Sequence, residues 1–215
     1  EDGIRDIGVT GVQTCALPIC VPFTISPSAS NGNVPAGTTY SWLTPVATGG
    51  VTGAVQGTNL TFISATLSNP TNAQQSVTYT ITPTSNLGCQ GTAFVLTVTV
   101  NPNARINPIT AVTCSGIQFQ ISPANITNGV VPANTTYTWA IPTYTGTITG
   151  GDSQTIAQNF VSGTLFNQTS SIQTATYIVT PNTAAGCAGA SFTVTISVPP
   201  TAEITAMSSV RSEEH

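Results

Sequence analysis

The chain repeats itself after 96 to 98 residues, and this internal repeat constrains its fold more than any other feature. The recurring motifs are "FTISP" (23–27) with "FQISP" (119–123), "VPAGTTYSW" (34–42) with "VPANTTYTW" (131–139), and residues 79–102 with residues 177–200. A unit of this length is the size of one small domain. "NARI" (103–106) returns as "TAEI" (201–204), so a further unit begins there. The sequence therefore predicts a tandem array of similar domains.

Within each unit, apolar residues alternate with a period of two, which is typical of strands with one buried face. The clearest example is the pair of runs 94–100 and 192–198, in which Phe, Leu, Val or Ile occupies every second position. Clusters of Gly, Pro and Asn such as "SNGN" and "SNLG" separate the runs, and no stretch keeps helical apolar spacing. Short strands at regular intervals with one central Trp predict an all-β fold, namely two tandem immunoglobulin-like β-sandwich domains.

We divide the chain into repeat 1 (residues 20–102), repeat 2 (residues 103–200) and the start of a third repeat (residues 201–210). The junctions "VNPNA" and "VPPTA" are short and contain proline, which favours restricted bending between domains.

The two ends of the chain do not follow the repeat. Residues 1–19, which include "VTGVQTCALPI" (9–19), and residues 211–215 ("RSEEH") resemble translated sequencing adapter, and we expect both segments to be non-native. Cys20 aligns with Gly116. We interpret Cys20 as a chimeric codon, since a single leftover adapter base would turn a glycine codon into a cysteine codon. The alternative is a native Cys20 that follows a two-residue deletion.

Charge is scarce once these ends are set aside. Residues 20–210 carry three charged side chains, Arg105, Asp152 and Glu203, and contain no Lys or His. Nucleic-acid binding requires clustered basic residues, so we predict no nucleic-acid partner. No apolar run approaches the about 20 residues that cross a bilayer, so we also expect no membrane insertion.

The unit resembles the PKD-like and related Ig-like repeats of large secreted surface proteins from Bacteroidetes-type bacteria. The residues that carry the resemblance are "CSG" (114–116), "TTYTW" (135–139) and residues 177–200, with their counterparts in repeat 1. It implies an extracellular or cell-surface location, with neighbouring repeats and a surface glycan or protein ligand as partners. The "WDFGDG" motif of classical PKD domains is absent from the sequence.

An exported repeat of this kind implies a disulfide between Cys114 and Cys187, which would close a long loop and stabilise the domain by about 4 kcal/mol. The alternative is a pair of unlinked thiols. Both cysteines are predicted to lie in turns, so a bridge requires an even number of strand traverses between them. Three predicted strands lie elsewhere between the cysteines, so residues 142–170 must supply one or three more. Neither Cys-x-x-Cys nor a native His is present, so we expect no metal and no cofactor.

Three aromatic residues are candidate contact sites. Trp42 and Trp139 could stack on sugars, but a Trp at this position of a sandwich is more often part of the core. Tyr144 has no aromatic counterpart in repeat 1, which makes it the better candidate for a ligand contact. The Asn-x-Thr sequons, one of them at Asn167, are interpreted as a by-product of Asn and Thr richness.

Two isolated carboxylates on different repeats provide neither acid–base catalysis nor an activated nucleophile, so we predict that the chain is not an enzyme. The favoured function is a non-catalytic spacer or adhesion array of an exported cell-surface protein. The alternative is a carbohydrate-binding accessory module of a secreted polysaccharide-degrading enzyme. Exposed paired aromatics favour the alternative, and buried tryptophans favour the array.

Overall fold

The computed structural model describes residues 13–17 and 22–202, and the regular secondary structure of this part of the chain is almost entirely β-strand. The strands of repeat 1, with the short strand that precedes it, are β1 (Gln13–Leu17), β2 (Phe23–Ile25), β3 (Thr39–Trp42), β4 (Val46–Ala47), β5 (Gly57–Leu60), β6 (Ile63–Ala65), β7 (Gln75–Thr84) and β8 (Phe94–Val100). The predicted non-native residues 1–12, 18–19 and 211–215, the questioned Cys20, and residues 203–210 of the expected third repeat lie outside the described residues.

Repeat 2 forms the same elements with a few additions. Its strands are β9 (Arg105–Ile106), β10 (Ile109–Val112), β11 (Gln118–Ile121), β12 (Gly129–Val130), β13 (Thr136–Trp139), β14 (Thr143–Tyr144), β15 (Thr149–Gly150), β16 (Gln154–Gln158), β17 (Val161–Phe166), β18 (Gln173–Asn182) and β19 (Phe192–Val198). The described part of the chain contains one helical element, a 3-10 turn at Ala29–Asn31. No helix in this part is long and apolar enough to span a membrane.

Each repeat has one large sheet. Its strand order is β1-β8-β7-β3-β5 in the first case and β10-β19-β18-β13-β16 in the second, with β4 and β14 pairing with the ends of β7 and β18. Neighbouring strands are antiparallel except at one edge, where β1 pairs with β8, and β10 with β19, in parallel. A parallel pair cannot be joined by a hairpin, so the chain crosses the whole domain between these two strands.

A smaller layer covers the large sheet. It consists of β2 and β6 in repeat 1, and of β11, β17 and β15 in repeat 2. A further two-stranded ladder joins β9 to β12, so residues at the junction of the repeats belong to the fold of repeat 2. The prediction of tandem β-sandwiches is confirmed, while the exact domain boundaries stay a prediction.

The cores lie between these layers, where the period-two pattern places the apolar residues. Along β8 the residues Leu96, Val98 and Val100 are buried and their neighbours are more exposed, and β19 shows the same alternation. Each core contains a fully buried tyrosine, Tyr79 or Tyr177, whose ring meets a phenylalanine edge-on at centroid distances of 6.0 and 5.5 Å. Such aromatic pairs stabilise a core beyond the area that they bury.

The segment predicted to be non-native takes part in this architecture. Gln13 lies opposite Leu96, just as Ile109 lies opposite Val194 in repeat 2, so β1 occupies the position of β10. Edge pairing uses backbone groups that every sequence carries. The origin of residues 1–19 therefore stays a prediction.

Candidate functional site

The two tryptophans lie in the two cores. Trp42 is 5% exposed and Trp139 is 6% exposed, and they lie at the ends of β3 and β13, the fourth strand of each large sheet. Their indole Nε1 groups donate to the carbonyl oxygens of Val55 (2.8 Å) and Asp152 (3.0 Å). Because both faces and the polar edge are occupied by protein, neither ring is available to stack on a sugar.

Tyr144 lies on the surface of repeat 2, in the short strand β14, where it faces Ala175 of β18. Its side chain is 38% exposed, and its hydroxyl donates to the carbonyl oxygen of Gly150. Partial burial, and to a smaller extent the negative charge of Asp152, raise the pKa of the Tyr144 phenol. Part of the ring therefore faces solvent while its polar tip is held by the backbone.

The predicted disulfide between Cys114 and Cys187 is wrong in this structure, in which both are free thiols. Cys114 follows β10, whose Val112 lies opposite Ser197 near the end of β19. Cys187 lies before the start of β19, in the turn from β18, where its carbonyl accepts from the N–H of Thr183. The seven residues of β19 span about 20 Å, far more than the about 6 Å between the Cα atoms of a disulfide.

The error has a clear origin in the strand count. The segment 142–170 supplies two full traverses of the domain, β16 and β17, where the bridge requires one or three. The two-residue strands β14 and β15 add no traverse, because β14 continues β13 along β18 and β15 leads into β16. Together with β11, β13 and β18 this makes five, an odd number, so the cysteines lie at opposite ends of the sandwich. Cys187 is buried and Cys114 is exposed.

A buried asparagine in each repeat was missed by the sequence analysis. Asn167, 4% exposed, donates through Nδ2 to the carbonyl oxygens of Ser171 and Val198, both at 2.8 Å. Its Oδ1 accepts from the N–H and the hydroxyl of Thr169. Asn69 makes the equivalent four bonds in repeat 1. The Asn-x-Thr motif at Asn167 is therefore structural, and its recurrence as "NPT" at 69–71 was the available signal.

The junction between the repeats is buried and hydrogen-bonded to both domains. Ala104 is fully buried, and the flanking Asn103 is 9% exposed. Arg105, the one cationic side chain of the described residues, donates through Nη2 to the hydroxyl of Ser68 in repeat 1 at 2.9 Å. The next residue, Ile106, pairs with Gly129 in the β9–β12 ladder. The connection between the two domains thus carries packing, a ladder and a side-chain hydrogen bond.

No group of three or more His, Cys, Asp or Glu residues that could hold a metal ion occurs among the described residues. Two sandwiches of the same topology, with their tryptophans in the cores and a buried junction between them, define a tandem repeat protein of the immunoglobulin-like class. The PKD-like domain family matches residues 18–104 and residues 106–202, and the chain belongs to this family. A PKD-like domain is typically a non-catalytic module. The predicted family resemblance is confirmed at this level.

A search of the curated proteins found no match. Among solved structures, the chain is similar to the bradyzoite-specific antigen BSR4 of Toxoplasma gondii, at 12% identity and a TM-score of 0.26, over 94% of this chain and 93% of that one. Drosophila N-cadherin domains EC1–3 match at 13% identity and a TM-score of 0.26, over 88% of this chain and 63% of theirs. SGBP-B of the Bacteroides ovatus mixed-linkage glucan utilization locus, solved with a mixed-linkage heptasaccharide, matches at 16% identity and a TM-score of 0.22, over 85% of this chain and 44% of that one.

Proposed function

We propose that the chain is a non-catalytic structural module of an exported bacterial cell-surface protein, in which PKD-like repeats form an array that spaces or presents other parts. The observation that carries this proposal is the junction. A flexible linker would be solvated and without fixed partners, whereas here Ala104 is fully buried and Arg105 bonds to Ser68. A junction of this kind transmits the orientation of one repeat to the next, which is what a spacer requires.

The distance between the repeats tests this proposal directly. Cys89 in repeat 1 and Cys114 in repeat 2 are both exposed, so nitroxide labels can be attached to them in a Cys15→Ser, Cys20→Ser background. Pulsed electron paramagnetic resonance should give one narrow distance distribution. Ala104→Asp, which places a charge in the buried junction, should broaden it, whereas substitution of the exposed Ala184 by Asp should not.

A broad distribution in the parent chain would contradict the spacer role. Antibodies raised against the chain should also label intact, unpermeabilised cells of the source organism. Labelling that requires permeabilised cells would contradict the surface location.

Carbohydrate binding is the second candidate, and the half-exposed ring of Tyr144 is the observation that favours it. A single ring provides a weak platform, because stacking sites gain affinity from several aromatic contacts. A glycan array probed with the chain and with Tyr144→Ala separates the candidates. Binding that Tyr144→Ala abolishes would replace the spacer function by the accessory-module function.

A further inference from the structure

Four positions at which the two repeats differ lie together at one corner of repeat 2. Equivalent strand pairs fix the correspondence, because β14 pairs with β18 as β4 pairs with β7, and β11 pairs with β17 as β2 pairs with β6. In each case repeat 1 has a small or aliphatic residue. The four residues of this polar corner, each with its counterpart in repeat 1, are Tyr144 (Ala47), Gly151 (Ala54), Asp152 (Val55) and Gly163 (Ala65).

Tyr144 provides the aromatic part of the polar corner. Its hydroxyl donates to the carbonyl oxygen of Gly150 and lies 3.4 Å from that of Gly151. These contacts hold the polar tip of the side chain, while the side chain as a whole is 38% exposed. The orientation of the ring is therefore set before any ligand arrives, which lowers the entropic cost of a contact with it.

Asp152 provides the charge. It directly follows Gly151, and its own carbonyl oxygen accepts from Nε1 of Trp139 at 3.0 Å, so its backbone is tied to the core. The side chain is exposed, and no described residue donates a hydrogen bond to its carboxylate or forms an ion pair with it. Arg105, the one cation of the described residues, donates to Ser68 instead. Both carboxylate oxygens of Asp152 can thus accept from another molecule.

The hydroxyl of Tyr177 approaches the polar corner from the core. It is buried and has no hydrogen-bond partner among the described residues. A Cβ on Gly163 would lie 3.0 Å from it, and a Cβ on Gly151 would clash with it, so the two glycines allow this approach. Burial, and to a smaller extent the charges of Tyr144 and Asp152, raise the pKa of the Tyr177 phenol. The phenol is therefore neutral at pH 7, and Asp152 carries the one negative charge at the corner.

A carboxylate beside an exposed aromatic ring suits a planar organic cation. The guanidinium of arginine donates two parallel hydrogen bonds to a carboxylate. Its flat face also stacks on aromatic rings, which a lysine ammonium does less well. A neutral sugar could use the ring of Tyr144 but would gain nothing from the charge of Asp152. Since Arg105 is already bonded within the chain, the cation would come from another molecule.

We infer that the polar corner of repeat 2 binds an arginine side chain of a partner protein, whose guanidinium pairs with the carboxylate of Asp152 and stacks on the ring of Tyr144. Repeat 1 lacks this site, because alanine and valine stand at the two positions. The two repeats share a fold but differ in what they recognise. This inference goes beyond the spacer function and does not depend on it.

The two tryptophans allow a test with an internal control. They give two indole N–H signals in a proton–nitrogen correlation spectrum of the full chain. The N–H of Trp139 donates to the carbonyl of Asp152, whereas that of Trp42 donates to Val55 at the corresponding place of repeat 1. A blocked glycyl-arginyl-glycine peptide should shift the Trp139 signal until it saturates and leave the Trp42 signal in place. The same peptide with neutral citrulline instead of arginine should shift neither signal.

Substitutions at the polar corner provide the second readout. Asp152→Asn and Tyr144→Leu should each raise the dissociation constant of the arginine peptide by at least about threefold. The matched control is Ser153→Ala, an exposed neighbour, which should leave the constant unchanged. A retained Trp139 signal shows that repeat 2 of each variant is folded.

Several results would overturn the inference. They are a Trp139 signal that the arginine peptide does not move, an equal shift with the citrulline peptide, and a smaller than threefold effect of either substitution. Calcium chloride distinguishes a metal from an organic cation. If calcium moved the Trp139 signal as far as the peptide does, and Tyr144→Leu left that shift unchanged, oxygen atoms alone would account for binding. None of these results bears on the distance between the repeats, which tests the spacer function separately.

Discussion

The side chain of Asn167 connects the loop 167–171 to the end of β19, so its removal should destabilise repeat 2. Asn167→Ala removes four hydrogen bonds and leaves the carbonyl oxygen of Val198 buried without its partner. An unsatisfied buried carbonyl costs about 1–3 kcal/mol, and each remaining bond contributes about 1 kcal/mol before water replaces part of it. We therefore expect the free energy of unfolding of repeat 2 to fall by about 3 kcal/mol, which lowers the Tm by more than about 10 °C.

Chemical denaturation followed by tryptophan fluorescence measures this loss. In a Trp42→Phe background, Trp139 alone reports the unfolding of repeat 2. The matched control is Gln168→Ala, because Gln168 is the exposed neighbour of Asn167 and should change the free energy by less than about 0.5 kcal/mol. A loss below about 1 kcal/mol in Asn167→Ala would refute the assignment of this side chain as a structural corner.

Three further predictions concern buried groups. The hydroxyls of Tyr79 and Tyr177 are buried without a hydrogen-bond partner among the described residues. Tyr79→Phe should therefore leave the free energy of unfolding unchanged or raise it by up to about 1 kcal/mol. A decrease of more than about 1 kcal/mol in a denaturant titration would contradict this prediction. Burial raises the pKa of Tyr79 and Tyr137 from 10.0 to about 12. Because the unfolded chain ionises first, stability should be complete below pH 10 and fall towards pH 12, as ultraviolet titration with circular dichroism would show. In the folded chain Cys114 should react with a thiol reagent and Cys187 should not, and oxidation should leave both unlinked; a linked peptide in a non-reduced digest would contradict the strand order.

The repeat predicted two similar domains, and the alternation predicted their strands, because apolar residues at every second position follow from one buried strand face. Trp139 and the run 192–198 could be placed in a core from spacing alone, and the family resemblance followed from the same motifs. The parallel pairing of β10 with β19 could not be predicted in this way, since edge pairing depends on backbone groups and not on side-chain type. Without that pairing, Cys114 could not be assigned to one end of the sandwich.

Polar contacts were harder to predict than the core. Asn167 lies in a segment rich in Asn, Ser and Thr, where most side chains face water, so composition alone does not single it out. A Cβ on Gly189 would lie 2.4 Å from the carbonyl oxygen of Ala104, so the junction backbone, about 85 residues earlier in the chain, requires glycine at this position. Both features arise from long-range contacts, which a local pattern does not encode, although their recurrence in the repeat marks the positions to compare.

The parallel pair at the sheet edge also determines how a repeat responds to tension. β10 near the start of the domain and β19 at its end run side by side in the same direction, over four residue pairs from Ile109–Val194 to Val112–Ser197. A force that pulls the two ends apart slides these strands along each other, so their ladder bonds are loaded together and not opened one at a time. Under load the relevant quantity is the rate of forced unfolding. In a tandem array, each domain would resist stretching through ladder hydrogen bonds that are loaded in shear.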